Sequence, residues 1–328
     1  MKKDIHIDGL QCAVPERAYF KEAVETGMDM IHVTVSFWEN STDTLQNIGN
    51  WLRTIDLNSD LIYPAIDSHN LSSDIGNGKL GILFGFQNCS PIENNIDLIQ
   101  VFRRLNVGIM QLSYNNQSAL CGGCYEQVET GLSRFGKKVV REMNRSGMII
   151  DMSHSCEKST REAIEHSERP IVISHAQSLS FRKALRNKSD QLLKLLGESG
   201  GMLGMSFYPF HLKNQSDCSL TEIMDELKRL IDLMGIDHVG VGSDLCQGQT
   251  LQDLEYMRNG KWTKELDYGE GSADKSGWPE PVSWFSEVKD FAEFGKKMLQ
   301  HGFSAEETAK ILGINWQTFL QSSLRPLT

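Results

Sequence analysis

Three apolar runs in this chain end on side chains that could handle a metal ion or a proton. Met148-Ile-Ile-Asp-Met-Ser-His154 and Pro170-Ile-Val-Ile-Ser-His175 each end in a histidine, and Val239-Gly-Val-Gly-Ser-Asp244 ends in an aspartate. Two neutral imidazoles with a carboxylate form a ligand set that zinc accepts, and a water bound to such an ion becomes a usable nucleophile near neutral pH. A strand-end histidine can instead do no more than donate to a backbone carbonyl. Three such ends in sequence favour a shared rim over three unrelated hydrogen bonds.

These ends meet only if the runs before them lie side by side. The strand-length apolar runs are Asp4–Asp8, Met30–Ser36, Leu80–Phe86, Gly108–Ser113, Met148–Ser153, Ile171–Ser174, Met202–Ser206 and Val239–Ser243. Each is nearly continuous, the pattern of parallel strands buried on both faces. Between them lie helical patterns at Glu93–Leu105, Gly136–Arg145, Ser155–His166, Ser189–Ser199 and Ser219–Met234, the last opening on a Ser219/Glu222 capping box. Eight β-then-α units, with Leu61–Ala65 left over as an edge strand, predict a closed (β/α)8 TIM-like barrel. An open doubly wound sheet is the alternative, and no Gly-rich dinucleotide fingerprint follows the first strand to support it. In such a barrel His154, His175 and Asp244 fall on one rim, from the fifth, sixth and eighth strands.

Residues 1–328 are expected to form one barrel domain. Two loops break the rhythm, 115–130 and 247–281, the second carrying Trp262, Tyr268 and Trp278. Both follow strands, so both are expected at the rim or over it. The tail, 304–324, reads as two short helices, Ala305–Leu312 and Asn315–Ser323.

Composition narrows the function classes. A formal net charge of −10 over 328 residues, with no basic cluster, argues against a nucleic-acid partner. No window approaches the roughly 18 apolar residues of a membrane span, and the N-terminus lacks a signal-peptide core. Seven scattered cysteines point to a reducing compartment, hence a cytoplasmic protein. Cys121-Gly-Gly-Cys124 has no second cysteine pair and opens no helix, so it reads as loop.

The runs Gly131-Leu-Ser-Arg-Phe-Gly136 and Val140-Arg-Glu-Met-Asn-Arg-Ser-Gly147-Met-Ile-Ile-Asp-Met-Ser-His154 resemble the membrane (renal-type) dipeptidase family of metallopeptidases. So do Arg169-Pro-Ile-Val-Ile-Ser-His175, Leu185-Arg186-Asn187 and His238-Val-Gly-Val-Gly-Ser-Asp244, and the similarity runs nearly the whole chain. The resemblance implies a (β/α)8 barrel, a two-zinc site, hydrolysis of dipeptides and a homodimer. It assigns His154 and His175 to one zinc, Asp244 to proton handling and Arg186 to the substrate carboxylate, a task suited to a planar two-pronged cation.

Other positions depart from the family pattern. The bridging Glu falls on Gln87, the His-x-Asp pair on Leu10 and Cys12, and a carbonyl-polarising His on Tyr114. His6-Ile7-Asp8 is itself a His-x-Asp, but it lies up to four residues, roughly 13 Å of strand, before the expected slot. Two divalent ions close together need anionic ligands, so Gln87 and Leu10 exclude a full binuclear centre. The expected site is a reduced one, with at most one zinc on Cys12, His154, His175 and Asp244, and Gln87 as a further weak ligand. Arg186, Tyr114, Gln87 and Asn115 would contact substrate, with Tyr114 also stabilising an oxyanion. The expected function is a metal-dependent hydrolase of a small amide bearing a free carboxylate, a dipeptide or an N-acyl amino acid. A divergent barrel enzyme of different reaction, or a carboxylate-binding protein without metal, are the alternatives.

Overall fold

A computed structural model of the chain describes residues 5–259 and 278–325. Nine strands form one parallel sheet: β1 (Ile7–Gln11), β2 (Met30–Ser36), β3 (Ile62–Pro64), β4 (Leu80–Phe86), β5 (Val107–Gln111), β6 (Ile149–Asp151), β7 (Val172–Ala176), β8 (Met202–Met205) and β9 (Val239–Val241). Eight follow the order β1-β2-β4-β5-β6-β7-β8-β9, while β3 pairs only with β4, as the leftover run at 61–65 predicted. The sheet curls back on itself. Cys12 N donates to Leu245 O (2.8 Å), Val14 N to Gln247 O (3.0 Å) and Asp244 N to Leu10 O (3.1 Å), which joins β1 to the segment leaving β9. The fold is a (β/α)8 barrel, and no open edge remains at that seam.

The first strand is the one misplaced by sequence: it runs Ile7–Gln11, not Asp4–Asp8. Its register is fixed by pairing Ile7 with Met30 and Asp8 with Ile31, information that the short run itself does not contain. The shift puts Leu10 inside the strand and Cys12 at its exit.

Helices such as Arg134–Ser146, Glu157–His166, Asp190–Glu198 and Leu220–Met234 wrap the outside. The last opens on the expected capping box, Ser219 bonding the Glu222 N–H and Glu222 returning the bond. One end of the barrel is closed by apolar packing. Ile7, Met30, Leu83, Ile109, Ile149, Val172 and Met202, from seven different strands, cluster with Trp316, Phe319 and Leu320 of the C-terminal helix Asn315–Ser323. Trp316 donates to Val241 O (2.7 Å), and a Cβ on Gly9 would lie 2.2 Å from its ring, so glycine is required there. With that end plugged, chemistry is left to the opposite rim. Among the described residues, no helix is long and apolar enough to cross a membrane.

Candidate active site

The rim opposite Trp316 holds a cavity lined by Cys12, Gln87, Tyr114, Asn115, His154, Arg186 and Asp244, together with Tyr208, His211, Cys246 and Arg258. All the sequence-predicted site residues except His175 line it, and His175 stands directly behind His154. The loop at 115–130 supplies Asn115 and Tyr125 to the wall, and the insertion after β9 supplies Met257, Arg258 and Trp278. Trp262 and Tyr268 lie outside the described residues. Cys121 and Cys124 are buried in the first of these loops and form no disulfide.

The two histidines are held from behind. Asp151, at the end of β6, accepts from Ser153 Oγ (2.6 Å) and from Ser174 Oγ (2.5 Å) on β7. Because Ser174 gives its proton to Asp151, its oxygen accepts from His175 Nδ1 at 2.8 Å. His154 Nδ1 faces Asn115 Oδ1 at 2.6 Å, so it carries the other ring proton. Both rings are neutral: burial first, then the Arg186 charge, holds each well below the usual histidine range.

That assignment leaves a proton missing. The Nε2 atoms of His154 and His175 face each other at 3.0 Å, and Gln87 Oε1 stands 3.0 Å from His154 Nε2. Gln87 lies in this sense with its amide N–H group toward Thr34 Oγ1 (2.9 Å) and Cys12 Sγ (3.3 Å). Three acceptor atoms therefore converge with no donor between them, an arrangement that fits one cation. The four-donor set expected from sequence is not assembled. Among the described residues no three His, Cys, Asp or Glu side chains stand together as metal ligands, and the Cys12 thiol turns to Gln87, Thr34 and Cys246 instead.

The groups around this point differ in charge and rigidity. Arg186 is buried and donates to the carbonyls of Ser153 and His175 (3.3 Å for the latter), which fixes its guanidinium at the cavity wall. Asp244 has a left-handed backbone, φ 61°, kept by its N–H bond to Leu10. Burial in this cavity raises its carboxyl to about 7, with Arg186 opposing the shift and Asp8 adding to it. Tyr114 stacks on His154 with ring centres 4.1 Å apart, and burial followed by the Asp244 charge keeps its phenol protonated.

The model of the membrane dipeptidase family, peptidase family M19, matches residues 10–266. The chain belongs to this family. The family is metal-dependent, with zinc as its metal. Among solved structures, an amidohydrolase from Pseudomonas aeruginosa is 32% identical, with a TM-score of 0.91 over 98% of this chain and 97% of that one. A metallopeptidase from Rhodobacter sphaeroides, solved with a phosphinate mimic of L-Ala-D-Ala, shares the fold at 16% identity and a TM-score of 0.78, over 98% and 100% of the two chains. Dipeptidase tcpJ of Claviceps purpurea is 28% identical over 276 residues, 83% of this chain and 58% of the relative. The chain thus spans a little over half the length of that curated family member.

Sequence reasoning missed Arg258 and Cys246. Both lie in the insertion after β9, whose position depends on contacts far away in sequence: Trp38 Nε1 donates to Met257 O (3.0 Å) and Tyr256 Oη to Glu39 (2.6 Å). Glu39 also accepts from the Phe37 and Trp38 N–H groups, so it caps a turn. Tyr208 and His211 also line the cavity.

Proposed function

We propose that this protein hydrolyses a small amide bearing a free carboxylate, a dipeptide or N-acyl amino acid, with one metal ion rather than two. The observation that carries the reading is the meeting of His154 Nε2, His175 Nε2 and Gln87 Oε1 without a proton, beside Arg186 and Asp244. Those three residues would hold the ion; when bound, it would polarise the amide carbonyl and make its water acidic. A second ion lacks support, since the position that would bridge two ions is the neutral Gln87 and its amide donates toward Cys12.

The chain's own residues then have separate tasks. Arg186 binds the substrate carboxylate and sets where the amide lies. Asp244, its carboxyl raised to about 7, takes a proton from water and returns it to the leaving nitrogen. Tyr114, kept protonated, donates to the carbonyl oxygen as negative charge develops there. Asn115 orients His154 and so acts as a positioning residue rather than a substrate contact. Seven cysteines without a disulfide are in keeping with a cytoplasmic location.

A metal-free binding protein is the second reading, favoured by the lack of any anionic donor among the three convergent atoms. Metal analysis of purified protein, with hydrolysis of a dipeptide and N-acyl amino acid panel, separates the two. The expected result is about one zinc per chain and activity lost on chelation and regained with zinc. Protein without metal that binds the panel but turns none over would establish the second.

A further inference from the structure

We propose that the site takes an amide whose acyl half carries a second carboxylate, received by Arg258, in preference to a free dipeptide. This rests on the hydrolase reading above. Among the described residues lining the cavity, two are guanidinium cations, Arg186 and Arg258, and one is a carboxylate, Asp244. The two cations occupy different parts of it. Arg186 is buried against the carbonyls of Ser153 and His175, beside the histidines. Arg258 sits on helix Leu251–Asn259, its NH2 nitrogen 3.5 Å from Tyr208 Oη and its guanidinium carbon 5.4 Å from the centre of the Trp278 ring. Among the described residues Arg258 makes no ion pair. Its hydrogen bond to Tyr208 is long, and an aromatic face is a weak substitute for a counter-ion.

The charge balance of these described residues bears on the ligand. A free dipeptide carries an ammonium at the end opposite its carboxylate, and that ammonium would need an anionic partner in the cavity. Asp244, the one carboxylate among the described lining residues, is taken up by proton transfer in the proposed reaction, Gln87 is uncharged, and Glu39 is committed to the Phe37 and Trp38 N–H groups and to Tyr256. An N-succinyl amino acid reverses the balance. Its two carboxylates meet two guanidiniums, and its amide lies between them, near Asp244 and Tyr114. In its hydrolysis water adds to the acyl carbon, the C–N bond breaks and the nitrogen leaves with a proton, giving a dicarboxylate and a free amino acid.

The test compares N-succinyl-L-alanine, N-acetyl-L-alanine and L-alanyl-L-alanine on the wild type, Arg258→Gln and Arg258→Lys, by kcat/KM and by calorimetric binding. The succinyl compound should be preferred over the acetyl one by at least about tenfold, mostly in KM, as for a charged hydrogen bond. Arg258→Gln should bring that ratio to within about twofold, while Arg258→Lys, which keeps the charge, should retain part of it. The proposal is overturned if the free dipeptide is handled as well as the succinyl compound. It is also overturned if Arg258→Gln leaves the ratio intact, or if Gln and Lys reduce it equally. Binding that follows the expected order without turnover would remove the hydrolase reading and leave the ligand class standing.

Discussion

Two buried carboxylates grip the barrel in the same way, yet only one of them serves a histidine. On the β6–β7 side, Asp151 accepts from Ser153 and Ser174, and Ser174 in turn receives the Nδ1 proton of His175. On the β1–β9 side, Asp8 accepts from Ser243 N (2.8 Å) and Ser243 Oγ (2.5 Å), from Leu10 N (3.3 Å) and from Gln11 Nε2 (2.7 Å). The second clamp closes the barrel seam, but the residues beyond it are Leu10 and Cys12, where the family pattern calls for metal ligands. The clamp therefore belongs to the scaffold and the ligand to the site. One can be kept while the other changes, because a buried carboxylate needs its donors whatever lies above it.

The largest expected effect tests whether the furnished half carries the chemistry. His175→Ala should lower kcat/KM by about a thousandfold and release the metal, as loss of a metal ligand would; activity within tenfold of wild type would erase the functional difference between the halves. Next come the clamps themselves. Asp8→Ala and Asp151→Ala should each destabilise the fold by about 3 kcal/mol in denaturant titrations, since each strands several buried donors. If either is neutral, the shared-scaffold argument fails for that side.

Ser174→Ala separates clamp from site: it should reduce metal affinity or kcat/KM by about 10- to 100-fold, the usual scale for a residue orienting a ligand. Ser243→Ala, its counterpart at the seam, should change stability more than catalysis, and equal catalytic losses would dissolve the contrast. The pH profile sharpens it further. With Asp244 as the proposed base, kcat/KM should fall on the acid side with a midpoint near 7, tenfold per pH unit below it, and Asp244→Asn should remove that limb. The linked stability has the opposite sign: a carboxyl raised from 3.8 to about 7 on folding stabilises the protonated fold at low pH. That contribution is lost as pH rises through 7, which Tm measured between pH 4 and 8 would read. The smallest effect is a gain. Gln87→Glu restores an anion facing His154 Nε2 and should tighten zinc by about tenfold, still as a single ion, because Leu10 cannot ligate; two ions per chain would show that the β1 side is less impaired than its residues indicate.

Much of this molecule could be read from residue order. The parallel strands announce themselves as apolar runs, and His154, His175 and Asp244 stand out because each ends one. Arg186 was readable only through the family motif around it. β1 was misjudged by about three residues, since Ile5-His6-Ile7-Asp8-Gly9-Leu10 has no sharp end and its limits come from pairing with β2. Cys12 was expected to ligate beside the histidines; its thiol instead has Gln87 as a neighbour from 75 residues away.

Local patterns thus determined the elements, their order and which polar groups stand at the rim, because burial on two faces leaves a signature within each short run. Only the closed barrel decided the rest. Tautomers, the unprotonated meeting of three acceptors and the exposure of Arg258 to the cavity all depend on distances between atoms far apart in sequence. Asp8 and Ser243, 235 residues apart, illustrate the reason: a hydrogen bond acts over about 3 Å, and residue order alone does not say which groups come that near.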